Sequence, residues 1–198
     1  KMRREYIPDP IGFANFLQPQ SYRAYVNYVI RPSYALHRDM GLLRRTTSGQ
    51  TLDADMSFQN FFSGRLLWDE SMASHAYRWV RDHPGGVMVG LVGADHVKFQ
   101  LGVQGRFERF AAAAAAGEGG GELGNVSVLL NPTLIDSRPS GSISGLLRSD
   151  SARNPGGLTL QLRYVKEGLD MDGSEEGLRL PDNTGGVLSL ADYIVISA

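Results

Sequence analysis

The stretch VMVGLVGADH, Val87–His96, decides the fold that the sequence predicts. Its first six residues form a continuous apolar run, which is typical of a strand buried on both faces of a parallel sheet. The run stops at Gly93, and the chain then delivers Asp95 and His96 into a turn. Because ligands bind at the carboxyl ends of strands in open α/β sheets, we expect a site where this strand ends.

A long helix pattern precedes this strand, from about Phe58 to Val80, with Ser57 as a candidate N-cap. Arg65 and Asp69 lie four residues apart in the same helical row as several large apolar side chains. If that row faces the core, the pair is half-buried and must be compensated by further hydrogen bonds. Such a pair either stabilises the core, which is the commoner case, or borders a site.

A second helix is predicted earlier in the chain, with Ser21 as its N-cap and with Pro32 ending or kinking it. Four of its residues form one apolar stripe: Tyr22, Tyr25, Val26 and Val29. We expect these residues in the core, and the alternative is that one of the tyrosines binds iron or stacks on a ring.

Later segments alternate as strands do, at residues 126–130, 158–165 and 191–196. Between and before them, low-complexity sequence predicts flexible inserts near residues 111–124, 136–157 and 170–186. Gly102 and Gly105 do not have the spacing of a nucleotide-binding loop, so they indicate close approach between backbone segments. We expect the 198 residues to form a single domain.

Composition excludes several function classes. The 20 basic and 21 acidic residues give a net charge of −1, which argues against nucleic acid as a partner. No apolar run approaches the roughly 18–20 residues that cross a bilayer, and the absence of cysteine excludes disulfides and thiolate metal sites. Neither HExxH nor GxSxG occurs, so no complete hydrolase site is evident. The start, Lys1–Tyr6, leads us to expect a longer polypeptide.

His96 is the histidine placed behind a glycine at the predicted strand-to-turn junction. Imidazole can bind a metal or haem iron, or carry protons; the alternative is a histidine held at a turn by backbone hydrogen bonds. Asp95 is expected to form the turn rather than to orient the ring, because neighbouring residues of an extended strand point to opposite faces. His75 and His83 are expected at the surface.

Several of these segments resemble a known family, the ChaN-like proteins of the haem-binding-uptake, Tiki superfamily. Its second signature is similar to Gly93–His96 followed by Leu101–Val103, its D-x-x-M-A helix to Leu67–Ala73, and its last strand to Ala191–Tyr193. Three further segments resemble plastid proteins of the RETICULATA-related group that carry this domain: Tyr28–Tyr34, Asn131–Asp136 and Arg138–Ser142.

The resemblance implies an α/β domain with a mixed, largely parallel sheet flanked by helices. It also implies relatives of two kinds, bacterial lipoproteins that bind haem and metal-dependent hydrolases. His96 matches the histidine of the second signature and Asp69 matches the helix aspartate. The first signature, a G-x-x-H strand end near the start of the domain, has no counterpart before Tyr6, and His37 does not fit it. We therefore expect a domain that is incomplete at its N-terminus and without catalytic activity.

The leading functional prediction is a plastid domain that binds haem or a related tetrapyrrole. His96 is the expected metal ligand, and Gly93, Asp69 and Arg65 are the other expected residues of the cofactor site. One alternative is a non-catalytic protein-interaction subunit of a chloroplast assembly, with residues 135–157 and 170–186 as partner surfaces. The other is a metal-dependent hydrolase, if a G-x-x-H segment lies upstream.

Overall fold

A computed structural model of the chain describes residues 6–46, 48–116, 123–132, 161–164 and 186–197, with the backbone alone at 161–164, 186 and 187. Helices dominate this part of the chain. The α-helices are α1 Pro10–Phe16, α2 Gln20–Tyr25, α3 Arg31–Asp39, α4 Phe58–Asp82 and α5 Val103–Ala115. A π-helical segment, Val26–Ile30, joins α2 to α3, and short 3-10 turns lie at Leu42–Arg44, Ala94–His96 and Lys98–Gln100.

Four strands form two separate pairs: β1 Val128–Leu130, β2 Gln161–Tyr164, β3 Gly186–Ser189 and β4 Tyr193–Val195. β1 pairs with β4 in parallel, and β2 pairs with β3 antiparallel. The predicted α/β class is confirmed, with helices as the larger part. β1, β2 and β4 lie within segments predicted as strands, whereas β3 was not predicted. Within the predicted inserts, residues 117–122, 136–157 and 170–185 lie outside the described residues.

The second predicted helix is longer than expected. Pro19, and not Ser21, occupies the N-cap of α2, and the helical path runs through Pro32 to the end of α3 at Asp39. The reason is the π-helical segment, whose wider turn lets the backbone N–H of Arg31 bond to Val26 O just before the proline, which has no N–H to donate. Of the two predicted effects of Pro32, the end of the helix is therefore wrong.

The long helix α4 is confirmed together with its cap, because Ser57 Oγ accepts a hydrogen bond from Asn60 N at 3.3 Å. The helix ends at Asp82, before a Pro-Gly segment that it cannot enter. Its middle faces inward, with Arg65 8% exposed and Asp69 fully buried. This burial confirms that the row carrying the pair faces the core.

Two apolar clusters lie on either side of these polar residues. The larger one consists of Tyr22, Ala24, Tyr25, Val26, Tyr28, Val29, Ile30, Phe99, Leu129 and Leu190. It confirms that the tyrosine stripe of α2 is core. The smaller cluster, Ala73, Phe107, Phe110 and Ala111, joins α4 to α5. The larger cluster thus joins α2 and the π-helical segment to Phe99 and to Leu190, which lies before β4.

The predicted buried strand at Val87–Val92 is wrong. The segment is neither helix nor strand, and Val87, Val89 and Leu91 are 80–87% exposed. A strand forms only when a second strand satisfies its backbone groups, and no backbone hydrogen bond among the described residues involves residues 87–92. We call this piece the bare apolar segment. No described helix is long and apolar enough to cross a membrane.

Candidate functional site

His96 lies at the end of a 3-10 turn that follows the bare apolar segment. Gly93 precedes this turn with extended backbone, and its carbonyl accepts a 2.9 Å hydrogen bond from His96 N. A Cβ atom at Gly93 would lie 3.7 Å from His96 Cδ2, so the imidazole packs against this glycine. The side chain remains 19% exposed. One edge of the imidazole ring therefore packs against the turn, while another part of the side chain is exposed to solvent.

Asp69 is the partner of this ring. His96 Nδ1 and Asp69 Oδ1 are 2.5 Å apart, and the Asp69 side chain is 1% exposed. A carboxylate accepts hydrogen bonds, so this contact assigns a proton to Nδ1, and in the neutral ring the lone pair is on Nε2. No described residue hydrogen-bonds Nε2. The arrangement is the one that presents a histidine nitrogen to a metal or to a proton.

Arg65 fixes Asp69 from the other side. Its Nε donates to Asp69 Oδ2 at 3.0 Å and to Oδ1 at 3.2 Å. Burial lowers the pKa of Arg65, but the electrostatic interactions with Tyr25 and Asp69 raise it further than burial lowers it, so the guanidinium stays charged. The expected pair is therefore present and more deeply buried than expected. The hydrogen bonds that compensate it are those of His96 to the same carboxylate and of Arg65 to Tyr25 Oη.

Tyr25 completes the cluster from α2. Its hydroxyl donates to the backbone oxygen of Asp95 at 2.7 Å and lies 3.4 Å from Arg65 Nη2. Burial raises the pKa of this hydroxyl well above its ordinary value, so it stays protonated and able to donate. The Asp95 carboxylate turns away to Lys98 Nζ at 2.7 Å. Asp95 thus belongs to the turn and not to the His96 ring, as its position in the sequence predicted.

A second buried ionic cluster stands beside the first, and the sequence analysis missed it. Glu70 follows Asp69 on α4 and is fully buried against Arg106 and Arg109 of α5. Arg106 also donates to Tyr22 Oη at 3.1 Å and to the oxygens of Leu101 and Gly102. The only signal in the sequence is the Arg106–Arg109 spacing on a helix that also carries apolar residues.

The predicted close approach at Gly102 and Gly105 is confirmed. A Cβ atom at Gly102 would lie 1.9 Å from His96 O, and one at Gly105 would lie 2.0 Å from Gln100 O. Both positions therefore require glycine for space. They bring the start of α5 directly onto the His96 turn.

Three of the four predicted site residues thus meet in one cluster, Arg65, Asp69 and His96, and Gly93 lies against the ring. His75 and His83 are exposed on α4 and just beyond it, as expected, each with Nδ1 next to a backbone oxygen of that helix. Within the described ranges, no group of three or more His, Asp or Glu residues could hold a metal ion. The site offers one imidazole nitrogen.

Comparison with known proteins identifies a family. A family model described as "Haem-binding uptake, Tiki superfamily, ChaN" matches residues 2–107, which is more than half of the chain. The matched range contains α1 to α4 and the whole Arg65–Asp69–His96 cluster. Searches of curated proteins and of solved structures found no match.

Proposed function

The chain belongs to the haem-binding uptake, Tiki superfamily, ChaN family, and we propose that it binds haem or a related tetrapyrrole through Nε2 of His96. The contact that supports this proposal most directly is the 2.5 Å approach of His96 Nδ1 to the buried Asp69. A histidine that binds iron usually donates its other ring nitrogen to a carboxylate or carbonyl, which fixes its orientation and raises its basicity. The imidazole is a donor that would suit a haem iron.

Exposed apolar side chains close to His96 in the sequence also favour a flat apolar ligand. The bare apolar segment ends four residues before the histidine and exposes Met88, Leu91 and Val92, among others. Ligand pockets are lined mainly by apolar side chains with a few convergent polar groups. Bound iron would supply the ligand's redox and coordination chemistry, while Asp69 and Arg65 would hold the imidazole in one tautomer.

The test is a titration with haemin, followed by absorbance, on the wild type and on His96→Ala. We expect a saturable Soret shift in the wild type and a weakened one in the variant. His75→Ala is the matched control, because His75 is exposed on α4 with Nδ1 next to Ser71 O, and it should titrate like the wild type. A folded wild type without a Soret shift, or equal affinity in His96→Ala, would overturn the proposal.

A second candidate is a non-catalytic protein-interaction module, and the bare apolar segment favours it. An extended apolar run with unpaired backbone groups is a template for strand addition by another chain. The partner surfaces predicted at residues 135–157 and 170–186 lie almost wholly outside the described residues. This candidate predicts no Soret shift, and retention of a protein partner that Leu91→Lys releases while Ile11→Lys, on an exposed residue of α1, does not.

A plastid location is the third part of the proposal. It depends on the likeness of Tyr28–Tyr34 and two later segments to RETICULATA-related plastid proteins. Expression of the full-length gene product with a fluorescent tag in plant cells tests it. Fluorescence that coincides with chlorophyll is expected, and fluorescence elsewhere in the cell would contradict it.

A further inference from the structure

The chain between His96 and α5 has an unfavourable backbone conformation. Phe99 and Gln100 are consecutive residues with φ of 59° and 60°, in the left-handed region that residues with a side chain rarely adopt. Neither is a glycine, so this turn is not a local preference of its sequence. Such strain persists only where the surrounding structure over-determines it, and it concentrates at binding sites.

The contacts that hold the turn come from the end of the chain. Phe99 N donates to Leu190 O at 2.8 Å, and the side-chain amide of Gln100 donates to Asp192 Oδ1 at 2.9 Å. The Phe99 ring is fully buried and packs edge-on against Tyr28. Backbone and side chain of the turn are thus fastened to two residues that lie just before β4.

Asp192 has three further donors on its other oxygen. Oδ2 accepts from Ser127 N at 2.7 Å, from Ser127 Oγ at 2.9 Å and from Gln104 Nε2 at 2.9 Å. Ser127 precedes β1 and Gln104 lies in the first turn of α5. One carboxylate therefore joins the strained turn, the start of α5 and the parallel strand pair.

The conformation of this turn affects His96 through the backbone contact between Gly102 and His96. The two residues are so close that a Cβ atom at Gly102 would lie 1.9 Å from His96 O. Arg106 donates to Gly102 O at 3.1 Å and fixes that side of the contact. If Gln100 relaxed out of the left-handed region, the chain leading to Gly102 would change direction and release the backbone of His96.

We propose that Asp192 is a positioning residue for His96: it holds the left-handed turn at Phe99 and Gln100, and the turn holds the imidazole on Asp69. Its importance for ligand binding rests on the proposed function, whereas its effect on the geometry of His96 does not. Asp192 lies 96 residues after His96 in the sequence and outside the range that the family model matches.

The experiment compares Asp192→Asn and Gln100→Ala with the wild type, all without haem. Asp192→Asn removes the charged acceptor, and Gln100→Ala removes only the link to the turn and leaves Ser127 and Gln104 on Asp192. The control is Asp82→Asn, whose carboxylate forms an exposed ion pair with Arg81 next to it in the sequence. Circular dichroism and thermal melting establish that each variant is folded.

The primary measurement is the NMR signal of the His96 ring. The wild type should show a downfield Nδ1–H proton and a single Nε2-unprotonated tautomer, because Asp69 accepts from Nδ1. Asp192→Asn and Gln100→Ala should broaden or lose that proton and mix the tautomers, and Asp82→Asn should not. A merely structural role for Asp192 would lower the melting temperature without changing the ring signal of the remaining folded protein.

The second measurement is the haemin affinity of the same proteins. Loss of a group that orients a ligand typically weakens metal binding about 10–100-fold, so we expect at least about a tenfold loss in both variants. A wild type that binds no haemin, with the His96 signal still altered by Asp192→Asn, overturns the proposed function and leaves the positioning role standing. An unchanged ring signal in folded Gln100→Ala and Asp192→Asn overturns the positioning role. If Asp192→Asn does not fold, Gln100→Ala alone decides the question.

Discussion

The two halves of the stretch from Val87 to Gly105 differ in what holds them. In the first half, the bare apolar segment, side chains are exposed and no described backbone group bonds to residues 87–92. In the second half, from Gly93 on, α2, α4 and the residues before β4 all contribute hydrogen bonds to the turn. Hydrophobic sequence alone therefore did not make a strand, whereas a polar, unfavourable turn is fixed from three directions.

A change of sequence should have different effects in the two halves. Exposed side chains that touch little can be replaced at small cost, while buried ion pairs are costly to break on one side only. Stability is thus expected to depend mainly on the turn half, whereas ligand binding should depend on both halves of the stretch. The variants that follow test this division.

The largest loss of stability is expected for Asp69→Ala. The change leaves the buried guanidinium of Arg65 without its carboxylate and removes the acceptor of His96 Nδ1. Removal of one partner from a buried pair typically costs about 3–5 kcal/mol, and we expect a fall of that size in the free energy of unfolding, measured with urea. Asp82→Ala, in an exposed pair with Arg81, is the control. Equal losses in the two variants would contradict the burial seen at Asp69.

A smaller loss is expected for Gly102→Ala, set against Gly90→Ala in the bare apolar segment. The new methyl group at position 102 would meet the backbone oxygen of His96, which cannot move aside as a side chain can. Overpacking of this kind costs about 1–3 kcal/mol. No atom lies within 4 Å of the corresponding position at Gly90, so its replacement should change the free energy of unfolding by less than about 0.5 kcal/mol. A larger loss of stability in Gly90→Ala than in Gly102→Ala would contradict the expected difference between the two halves.

The turn half should also respond to acid through Asp192. Burial raises the pKa of Asp192, but hydrogen bonds from Ser127, Gln104 and Gln100 lower it further, below its ordinary value of 3.8. A carboxyl whose pKa is lower in the folded protein contributes stability above its ordinary pKa, and this contribution is lost as the pH falls through the lowered value. The melting temperature of the wild type should therefore exceed that of Asp192→Asn near neutral pH, and the two should converge in acid.

Glu108 is a second acidic residue whose titration also changes stability at low pH, so its contribution must be separated from that of Asp192. Burial and the charge of Asp192 raise the pKa of Glu108, while its hydrogen bond with Gln104 lowers it, and the net shift is upward. Its protonation therefore favours the folded state as the pH falls, opposite in sign to Asp192. Glu108→Gln removes this contribution. If the difference between wild type and Asp192→Asn is the same at all pH values in the Glu108→Gln background, the carboxylate of Asp192 is not what stabilises the turn.

The sequence predicted the elements whose causes are local. α4 begins at a serine that caps it and ends before a Pro-Gly segment, so its bounds followed from residue types alone. The Arg65–Asp69 spacing and its inward row predicted a buried pair, and Gly102 and Gly105 predicted close contact. These features depend on chain geometry within a few residues.

What could not be predicted depends on residues that are distant in the sequence. The Glu70 cluster needs Arg106 and Arg109 from another helix, and the left-handed turn at Gln100 needs Asp192. The predicted strand at Val87–Val92 is absent because a run of apolar residues does not by itself provide the neighbouring strand that its backbone groups require. The apolar pattern of the sequence therefore did not show which segments pair with one another.

The smallest effect on stability is expected in the bare apolar segment, with Leu91→Lys. Leu91 is 87% exposed, so its replacement should change the free energy of unfolding by less than about 0.5 kcal/mol. Its effect on binding should be larger, because a charged side chain on an apolar surface disfavours both a flat apolar ligand and an added strand. Ile11→Lys, at a residue 75% exposed on α1, is the matched control. A large loss of stability in Leu91→Lys would show that the segment is packed in solution. Weaker haemin binding at unchanged stability would show that the bare apolar segment forms part of the surface that binds the ligand, next to the turn that holds His96.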